Sequence, residues 1–267
     1  MTSLSITSSL RWCIERLPFV VALALLALGN LGLLGILAAG PVRAQSLCVQ
    51  TPPGLSAWFT FDEELFHQPG PHRPQLVPGL VGRALRFNGK DQYLELPAST
   101  PGLDVGEDDF SIELWIRTKD SLGTPSIVDK RDRSPLGYLI YMWQGHPGFQ
   151  VVHEDRIDNA VARSVNAADN RWHHVAAVVK RLPMQPFVVY VDGAKPELGV
   201  RNAPLVNLDV PTPLWLGRHH ANKFVSSDDI YFEGEIDELS FYHRALTAAE
   251  IQSIFRAGAH GKCRPGR

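Results

Sequence analysis

The sequence predicts an all-β sandwich that carries one short helix near its C-terminus. Strand-like segments recur at short spacing, separated by turn residues, across most of the chain. One of them, residues 109–119, alternates so that apolar side chains share one face. A single stretch, residues 246–258, carries helix start and stop signals instead. About a dozen strands and one terminal helix are typical of a β-sandwich.

The predicted strands follow one another between turn-forming residues. They lie at 55–61, 84–97 (two strands around a turn at Asn88 and Gly89), 109–119, 126–130, 137–143, 148–154, 171–180, 186–196, 213–218 and 233–242. Segments 171–180 and 186–196 are apolar on both faces, which indicates central strands. Three segments are predicted as loops: the Pro/Gly-rich stretch 66–82, residues 155–170 and residues 197–211.

The predicted helix covers roughly residues 248–257. Thr247 is its N-cap, and Glu250 three residues later completes a capping box. Leu246 and Ile251 have the spacing of a hydrophobic staple, and Gly258 provides the C-cap. A helix of this length is marginal in isolation, so we expect it to pack on the edge of the sheet.

The first 44 residues differ from the rest and read as a secretory signal. Arginines precede a long apolar run at 17–40, and small residues at the −3 and −1 positions predict cleavage after Ala44. The expected location is therefore secreted, periplasmic or cell-surface. The alternative is an uncleaved anchor, because a run of more than 20 residues is long enough to cross a bilayer once.

The mature chain is expected to form one domain. We assign residues 45–54 to a lead-in, 55–258 to the domain and 259–267 to a tail. Without residues 1–44 the chain has 23 basic and 27 acidic residues, a net charge of −4. There is no Lys/Arg block, so nucleic acid is excluded as the expected partner. A membrane enters only if the N-terminal segment stays attached.

Two cysteines, Cys48 and Cys263, remain after the predicted cleavage, one at each end of the domain. In an oxidising compartment the simplest outcome is one disulfide, and the alternative is a pair of free thiols. A disulfide requires the two Cα atoms to lie within about 7 Å. The first and last strands are therefore expected to be neighbours.

Seven motifs along residues 55–258 carry a family resemblance. They are "WFTFDE", "GRALRFNGKDQYLELP", "FSIELWIRT", "RWHHVAAVV", "VYVDGAKP", "LWLGR" and "GEIDELSFYHRALTAAEIQSIFRAG". In this order they resemble the laminin-G-like (concanavalin A-like) jelly-roll family, with flanking cysteines like those of secreted bacterial members. The resemblance implies two curved antiparallel sheets whose first and last strands lie side by side.

The resemblance constrains function less than fold. It implies an exported, non-enzymatic binding or adhesion module whose partner is a glycan or a cell-surface protein. One alternative is a glycoside hydrolase or lyase of the same fold. The other alternative is a purely structural envelope protein.

The carboxylates of the last strand test the hydrolase alternative. Laminarinase-like hydrolases of this architecture carry a motif similar to E-x-D-x-E, since a retaining enzyme needs two carboxylates about 5–5.5 Å apart. Glu235 and Asp237 match its first two positions, but the third falls on Leu239. Regular alternation would place Glu238 on the face opposite Asp237. We therefore predict no catalytic residue here and expect Glu235 at the surface.

We expect carboxylate, amide and backbone oxygens near the first and last strands to bind a calcium ion. Ca²⁺ takes six to eight oxygens from carboxylates, amides and backbone carbonyls. The predicted ligands are Asp62 at the end of the first strand, Asn88 and Gly89 in a turn, and Asp237 in the last strand. The alternative is that Asp62 and Asp237 accept hydrogen bonds from backbone amides of adjacent turns.

An aromatic cluster is the predicted ligand contact. It consists of Tyr138, Tyr141, Trp143 and His146, with Arg131 and Arg133 in the loop just before it. Trp115, on the polar face of its strand, is a further exposed candidate. The alternative is that these rings fill the core, as we expect for Trp58, Trp172 and Trp215.

Overall fold

The computed structural model describes residues 47–63, 66, 70–133, 136–154, 156–181, 186–194, 197–202, 206–220 and 230–264. The predicted signal segment 1–44, its cleavage after Ala44 and the alternative anchor at 17–40 lie outside these residues. Within the described ranges, no helix is both long and apolar enough to cross a bilayer.

The described residues form fourteen strands and one α-helix. The strands are β1 (Leu55–Phe59), β2 (Gln75–Pro78), β3 (Arg83–Asn88), β4 (Leu94–Leu96), β5 (Phe110–Arg117), β6 (Ser126–Arg131), β7 (Leu136–Trp143), β8 (His146–His153), β9 (Arg156–Val161), β10 (Trp172–Val179), β11 (Pro186–Val191), β12 (Glu197–Asn202), β13 (Leu214–Leu216) and β14 (Glu233–Tyr242). The helix, α1, spans Ala248–Ala257.

The strands form two antiparallel sheets. The eight-stranded sheet has the order β12-β11-β10-β5-β14-β3-β2, and β1 pairs with β14 beside this path. The six-stranded sheet has the order β4-β13-β6-β7-β8-β9. The predicted fold class is confirmed: a sandwich of two antiparallel sheets with one short C-terminal helix. The pairing of β1 with β14 confirms that the first and last strands are neighbours.

The main core lies between the two sheets. The apolar face of β5 points into it, and Ile112, Leu114 and Ile116 are all 0% exposed. From the other sheet, Tyr138 and Ile140 of β7 meet this layer. Alternation along each strand therefore decides which side chains enter the core and which reach the outer faces.

A second cluster covers the outer face of the eight-stranded sheet. Helix α1 lays Ile251 and Ile254 on this face, against residues that include Ala176. The predicted capping box between Thr247 and Glu250 is present. The prediction that Trp115 is exposed is wrong, because the helix covers it. Trp115 is 5% exposed and stacks on Phe255, with ring centroids 5.9 Å apart.

Three predicted loops contain strands. The stretch 66–82 includes β2, residues 155–170 include β9, and residues 197–211 include β12. All three are edge strands. Edge strands tolerate proline and charged side chains because one side of the backbone is unpaired and solvated. Their sequences therefore lack the apolar alternation that identifies central strands.

The two ends of the domain are tied together. The predicted disulfide joins Cys48 to Cys263, with Cα atoms 5.0 Å apart. Val49 forms a parallel bridge with Lys262. We call the segment Gly261–Arg264 the C-terminal strap. It crosses the outer face of the eight-stranded sheet beside β1 and β14.

The strap carries a buried ammonium group. Lys262 Nζ donates to Glu113 Oε1 at 2.8 Å and lies 3.4 Å from Glu238 Oε2. All three side chains are at most 1% exposed. Burial alone would raise the pKa of Glu113, but the Lys262 ammonium and a hydrogen bond with His174 lower it to about 2. Burial raises the pKa of Glu238, although the positive charge of Lys262 acts to lower it.

Candidate functional site

A groove of about 400 Å³ lies on the outer face of the six-stranded sheet. Its described lining comes from β6, β7, β8, β9 and the segments beside them. The lining residues are Thr124, Arg131, Leu139, Tyr141, Trp143, Gln150, Ile157, Asn159, Val161, Arg163 and His219. The groove thus combines aromatic, aliphatic and polar side chains on one open sheet face.

Alternation along β7 places the side chains of the predicted aromatic cluster on two different faces of the sheet. Tyr141 and Trp143 point outward and line the groove, as the ligand-contact prediction requires. Tyr138 points into the core, is 0% exposed and donates its hydroxyl to Leu103 O at 3.1 Å. The ligand-contact prediction is therefore wrong for Tyr138, because an odd separation in a strand reverses the direction of the side chain.

A glycine in β8 allows Tyr141 to lie flat on the sheet. A Cβ atom at Gly148 would lie only 2.8 Å from Tyr141 Cζ. The Tyr141 hydroxyl reaches across β8 and donates to Asn159 Oδ1 at 3.3 Å. Burial raises the pKa of Tyr141 to about 12. The ring therefore forms part of the floor of the groove, and its hydroxyl stays protonated.

Trp143 and His146 lie at the end of the β7–β8 hairpin. The guanidinium of Arg163 stacks over the Trp143 ring at 4.5 Å, a favourable cation–π contact. His146 is outside the described groove lining, and its Nδ1 lies 2.8 Å from Val165 O. Its observed contact is with the loop after β9, and the prediction that it contacts ligand has no geometric support.

A polar network crosses the groove. Asp129 accepts from Arg131 Nε at 2.8 Å and from Nη2 at 2.5 Å. Arg131 Nη1 donates to Gln150 Oε1 at 3.3 Å. Gln150 Nε2 donates to Asn159 Oδ1 at 2.7 Å. Arg131, predicted in a loop, in fact ends β6 and is 2% exposed.

His219 closes the network on the side of β6. Its Nδ1 lies 2.8 Å from Ser126 Oγ, and Arg131 Nη2 approaches its ring nitrogens at 3.2–3.4 Å. Sequence reasoning missed His219, Gln150 and Asn159 as groove residues. The three residues lie in separate segments of the sequence, and only the strand register brings them together.

The predicted calcium ligands fall at two separate places. Asp62 Oδ1 accepts from the backbone N–H of Arg83 at 2.8 Å, and Asp237 Oδ2 accepts from Val81 N–H at 2.9 Å. Both carboxylates thus hold the turn between β2 and β3, as the alternative prediction requires. Asn88 and Gly89 are at the far end of β3, about 17 Å from Arg83 at the usual rise of a strand.

The turn also uses Asp62 for an ion pair with Arg264 of the strap. Across the described residues, no group of three or more His, Cys, Asp or Glu side chains is arranged to hold a metal ion. A Ca²⁺ ion would need further oxygens from backbone carbonyls or water. Calcium binding stays a prediction, now restricted to the turn held by Asp62 and Asp237.

Calcium binding is tested by thermal unfolding. If Ca²⁺ holds the turn between β2 and β3, millimolar Ca²⁺ raises the unfolding midpoint and EDTA lowers it again. Mg²⁺ at the same concentration controls for ionic strength. A midpoint that is the same in EDTA and in Ca²⁺ contradicts the prediction.

Glu235 is buried, contrary to the expected surface position. It is 4% exposed. Its oxygens meet Arg86 at 2.7 Å and Arg117 at 2.5 Å from neighbouring strands. Two partly exposed guanidinium groups cover the carboxylate, which explains how a charged residue is buried in a strand.

A β-bulge in β14 places Glu238 on the outer face of the sheet. The pairing of β14 with β5 shifts between Asp237 and Ser240, and Glu238 has a φ of 55°. The extra residue turns Glu238 to the outer face, where it accepts from Trp58 Nε1 at 3.0 Å. The prediction that it faces away from Asp237 is therefore wrong, because a bulge interrupts alternation.

The burial of Asp237 predicts that the free energy of unfolding of the metal-free protein depends on pH. Burial raises the pKa of Asp237 to about 8. The backbone N–H groups that donate to the carboxylate lower this pKa, and the nearby Glu238 carboxylate raises it further. An aspartate in the unfolded chain has a pKa of about 3.9, so between about pH 4 and 8 only the folded state holds this proton. This group makes the free energy of unfolding fall as the pH rises through that window, by at most about 1.4 kcal/mol per pH unit.

The variant Asp237→Asn isolates this effect, because the amide keeps an acceptor for Val81 but does not titrate. We expect the difference in stability between variant and wild type to grow in favour of the variant from pH 5 to pH 8. Urea unfolding in EDTA at these pH values measures it. A difference that does not change with pH overturns the prediction.

The fold and the groove define a concanavalin A-like jelly roll. A family model described as the concanavalin A-like lectin/glucanases superfamily matches residues 88–252, more than half of the chain. The chain therefore belongs to this superfamily. Among curated proteins, no sequence matches it significantly.

Solved structures show the same fold at low identity. The binding domain of Paraclostridial Mosquitocidal Protein 1 is 18% identical with a TM-score of 0.52, over 68% of this chain and 45% of that one. Botulinum neurotoxin serotype D ligand-binding domain, solved with N-acetylneuraminic acid, is 10% identical with a TM-score of 0.53, over 75% and 46%. This chain thus spans about half the length of these toxin domains.

A second kind of similar structure is matched over nearly its whole length. Domain 4 of AbnA, an extracellular arabinanase from Geobacillus stearothermophilus solved with arabinotriose, is 20% identical with a TM-score of 0.53. The match covers 74% of this chain and 96% of that domain. At these identities the likeness shows the fold.

Proposed function

We propose that this protein is an exported, non-enzymatic binding module that holds glycans, free or on a cell-surface partner, in the groove of the six-stranded sheet. The observation that carries the proposal is the composition of the groove. Tyr141 and Trp143 line it with aromatic rings, beside the amide groups of Gln150 and Asn159. Concave sites that combine apolar surface with a few placed polar groups are typical ligand sites.

The chemistry of the groove suits a sugar. A pyranose or furanose ring has apolar C–H faces, which pack on aromatic rings, and a rim of hydroxyls, which need hydrogen-bond partners. The described similar structures include domains solved with arabinotriose and with N-acetylneuraminic acid. Those two complexes support a glycan as the first class of ligand to test.

Binding is favoured over hydrolysis by what lines the groove. Glycoside hydrolysis normally uses two carboxylates that flank the scissile bond. The described lining of the groove contains no Asp or Glu, and Asp129 beneath it accepts hydrogen bonds from Nε and Nη2 of Arg131. Reducing-sugar release from polysaccharides that bind would support the hydrolase alternative instead.

Export is supported by the disulfide between Cys48 and Cys263. Disulfides persist in extracellular and periplasmic compartments and are rare in the cytosol. The predicted signal segment points to the same location. Mass analysis of the protein recovered from culture medium or periplasm would test it, and a chain that still begins before residue 45 would favour the anchor alternative.

A single methyl group is expected to close the groove. In Gly148→Ala the new Cβ meets the far end of the Tyr141 ring at 2.8 Å, so the ring must tilt out of the sheet surface into the groove. We expect at least a tenfold loss of affinity for any glycan identified on an array, with little change in thermal stability. Titration calorimetry and thermal unfolding measure the two quantities.

Gly70→Ala is the matched control. Gly70 is exposed, and a Cβ there meets only the flexible Arg73 side chain. The control is expected to bind like wild type. Equal affinities for wild type and Gly148→Ala would place the ligand elsewhere, and an array without any glycan bound would favour the purely structural alternative.

A further inference from the structure

We infer that this protein has a second binding site, for a phosphate or sulfate group, on the sheet opposite the groove. The site is a pocket of about 410 Å³ on the outer face of the eight-stranded sheet, which we call the arginine pocket. Its lining residues are Arg86, Phe87, Arg117, Thr118, Lys119, Asn170, Glu233, Gly234 and Glu235. The inference goes beyond the proposed function, because it concerns a different ligand on a different sheet.

Strand register brings two arginines to one buried carboxylate in this pocket. Glu235 of β14 pairs with Arg86 of β3 on one side and with Arg117 of β5 on the other. Residues directly opposite each other on neighbouring strands share a face of the sheet, so the three side chains form one row. Helix α1 covers Trp115, two residues earlier on β5, whereas the side chain of Arg117 lines the open pocket.

Both guanidinium groups are held in place by the protein itself. Arg86 donates from Nε and Nη2 to Glu235 Oε1 at 2.9 and 2.7 Å. Arg117 Nη2 lies 2.5 Å from Glu235 Oε2, and its guanidinium lies over the Trp172 ring at 5.0 Å. The side chain of Glu235 is 6% exposed, whereas those of Arg86 and Arg117 are 50% and 31% exposed. The buried carboxylate thus orients two accessible guanidinium groups, which lowers the entropy cost of binding a ligand.

The carboxylates of the pocket do not balance its positive charge. Three cationic side chains, Arg86, Arg117 and Lys119, stand against two carboxylates, Glu233 and Glu235, which leaves one positive charge in excess. Lys119 is 74% exposed and lies 3.8 Å from Glu233, beyond hydrogen-bond distance. Glu235 is the only described acceptor for either guanidinium, and Nη1 of each arginine donates to no described residue. The pocket therefore has both a charge and N–H donors to offer a ligand.

An anion with several oxygens fits this arrangement best. A guanidinium can donate to any oxygen, but only an anion also balances the excess positive charge, and charge-assisted hydrogen bonds are the strong ones. A carboxylate offers two oxygens. A phosphate or sulfate group offers at least three, as many as there are cationic side chains in the lining. We therefore expect a tetrahedral oxyanion to bind more tightly than a carboxylate.

The experiment follows the backbone amides of the pocket by NMR while simple anions are added. Sodium phosphate, sodium sulfate and sodium acetate are titrated separately into the ¹⁵N-labelled protein, with sodium chloride keeping the ionic strength at about 100 mM. We expect the amide signals of Thr118 and Gly234 to shift until they saturate with phosphate or sulfate. The tighter of the two identifies the group, and acetate should bind about tenfold more weakly than that anion.

Three variants separate the pocket from the general charge of the surface. Arg117→Gln removes one guanidinium group and should weaken binding of the preferred anion about tenfold. Lys119→Glu reverses the charge of an exposed side chain in the same pocket, so it should weaken binding similarly and remains usable if Arg117→Gln is unstable. Arg256→Gln is the control, because it removes the same charge from an exposed position on helix α1, and should bind like wild type.

Each remaining outcome counts against the site. Shifts that do not saturate with phosphate or with sulfate overturn the inference, and so does an affinity for acetate equal to that for both tetrahedral anions. Equal losses in Arg117→Gln and Arg256→Gln also overturn it, because the attraction then belongs to the whole surface. None of these results affects glycan binding in the groove, which lies on the other sheet and is tested by Gly148→Ala.

Discussion

Replacing both Cys48 and Cys263 with serine is expected to lower the free energy of unfolding by about 5 kcal/mol. The disulfide closes a loop with a sequence separation of 215 residues. In the chain-entropy model, a longer loop restricts the unfolded chain more and therefore stabilises the folded state more. A loss of this size is a large fraction of the 5–15 kcal/mol typical of a domain.

Urea unfolding of the wild type and of the double variant measures the loss. Wild type treated with a thiol reductant should unfold at the same urea concentration as the double variant, and the reductant should leave the variant unchanged. A difference below about 1 kcal/mol would contradict this prediction, because the disulfide would then restrict the unfolded chain far less than the chain-entropy model requires.

Replacing Lys262 with methionine is expected to cost about 3–5 kcal/mol at neutral pH. The ammonium lies between Glu113 and Glu238, and all three side chains are at most 1% exposed. Methionine keeps most of the volume but leaves a buried carboxylate pair without its counter-charge. The large cost of breaking a buried pair comes from that uncompensated charge.

The control is Lys119→Met, because Lys119 is 74% exposed and its ion pair with Glu233 is long, at 3.8 Å. Exposed pairs contribute about 0–1 kcal/mol, so little change is expected. The Lys262→Met loss should shrink in the triple variant Lys262→Met, Glu113→Gln, Glu238→Gln, where no buried carboxylate remains. An equal loss in both Lys262 variants would assign the effect to packing of the strap and overturn the charge explanation.

The two expected losses should not add. Cys263 follows Lys262 directly, and both residues fix the same strap to the sheet. Neighbouring sites that share one structural element usually show coupling. The variant that combines the cysteine and lysine changes should therefore lose less than the sum of the separate losses.

The central strands and the helix were predictable because their signals are local. The alternation of β5 and the capping box of Thr247 and Glu250 lie within a few residues of sequence. The edge strands β2, β9 and β12 were not predictable in this way, since they carry fewer apolar residues. The bulge at Glu238 also escaped prediction, because it depends on pairing with β5.

The groove was predictable only in part. Tyr138, Tyr141 and Trp143 stood out as aromatics on one segment, but alternation places Tyr138 on the opposite face from the other two. Asp129, Gln150 and Asn159 come from three strands, and their meeting is set by register. Register depends on long-range pairing, and a single sequence contains little information about it.

The disulfide and the groove lie on opposite sheets of the sandwich. Cys48 and Cys263 lie together beside β1, β14 and the strap, on the eight-stranded sheet. The groove opens on the outer face of the other sheet. Cys48 and Cys263 therefore lie on the sheet opposite the groove, so a surface linker attached beside this disulfide would leave the groove accessible.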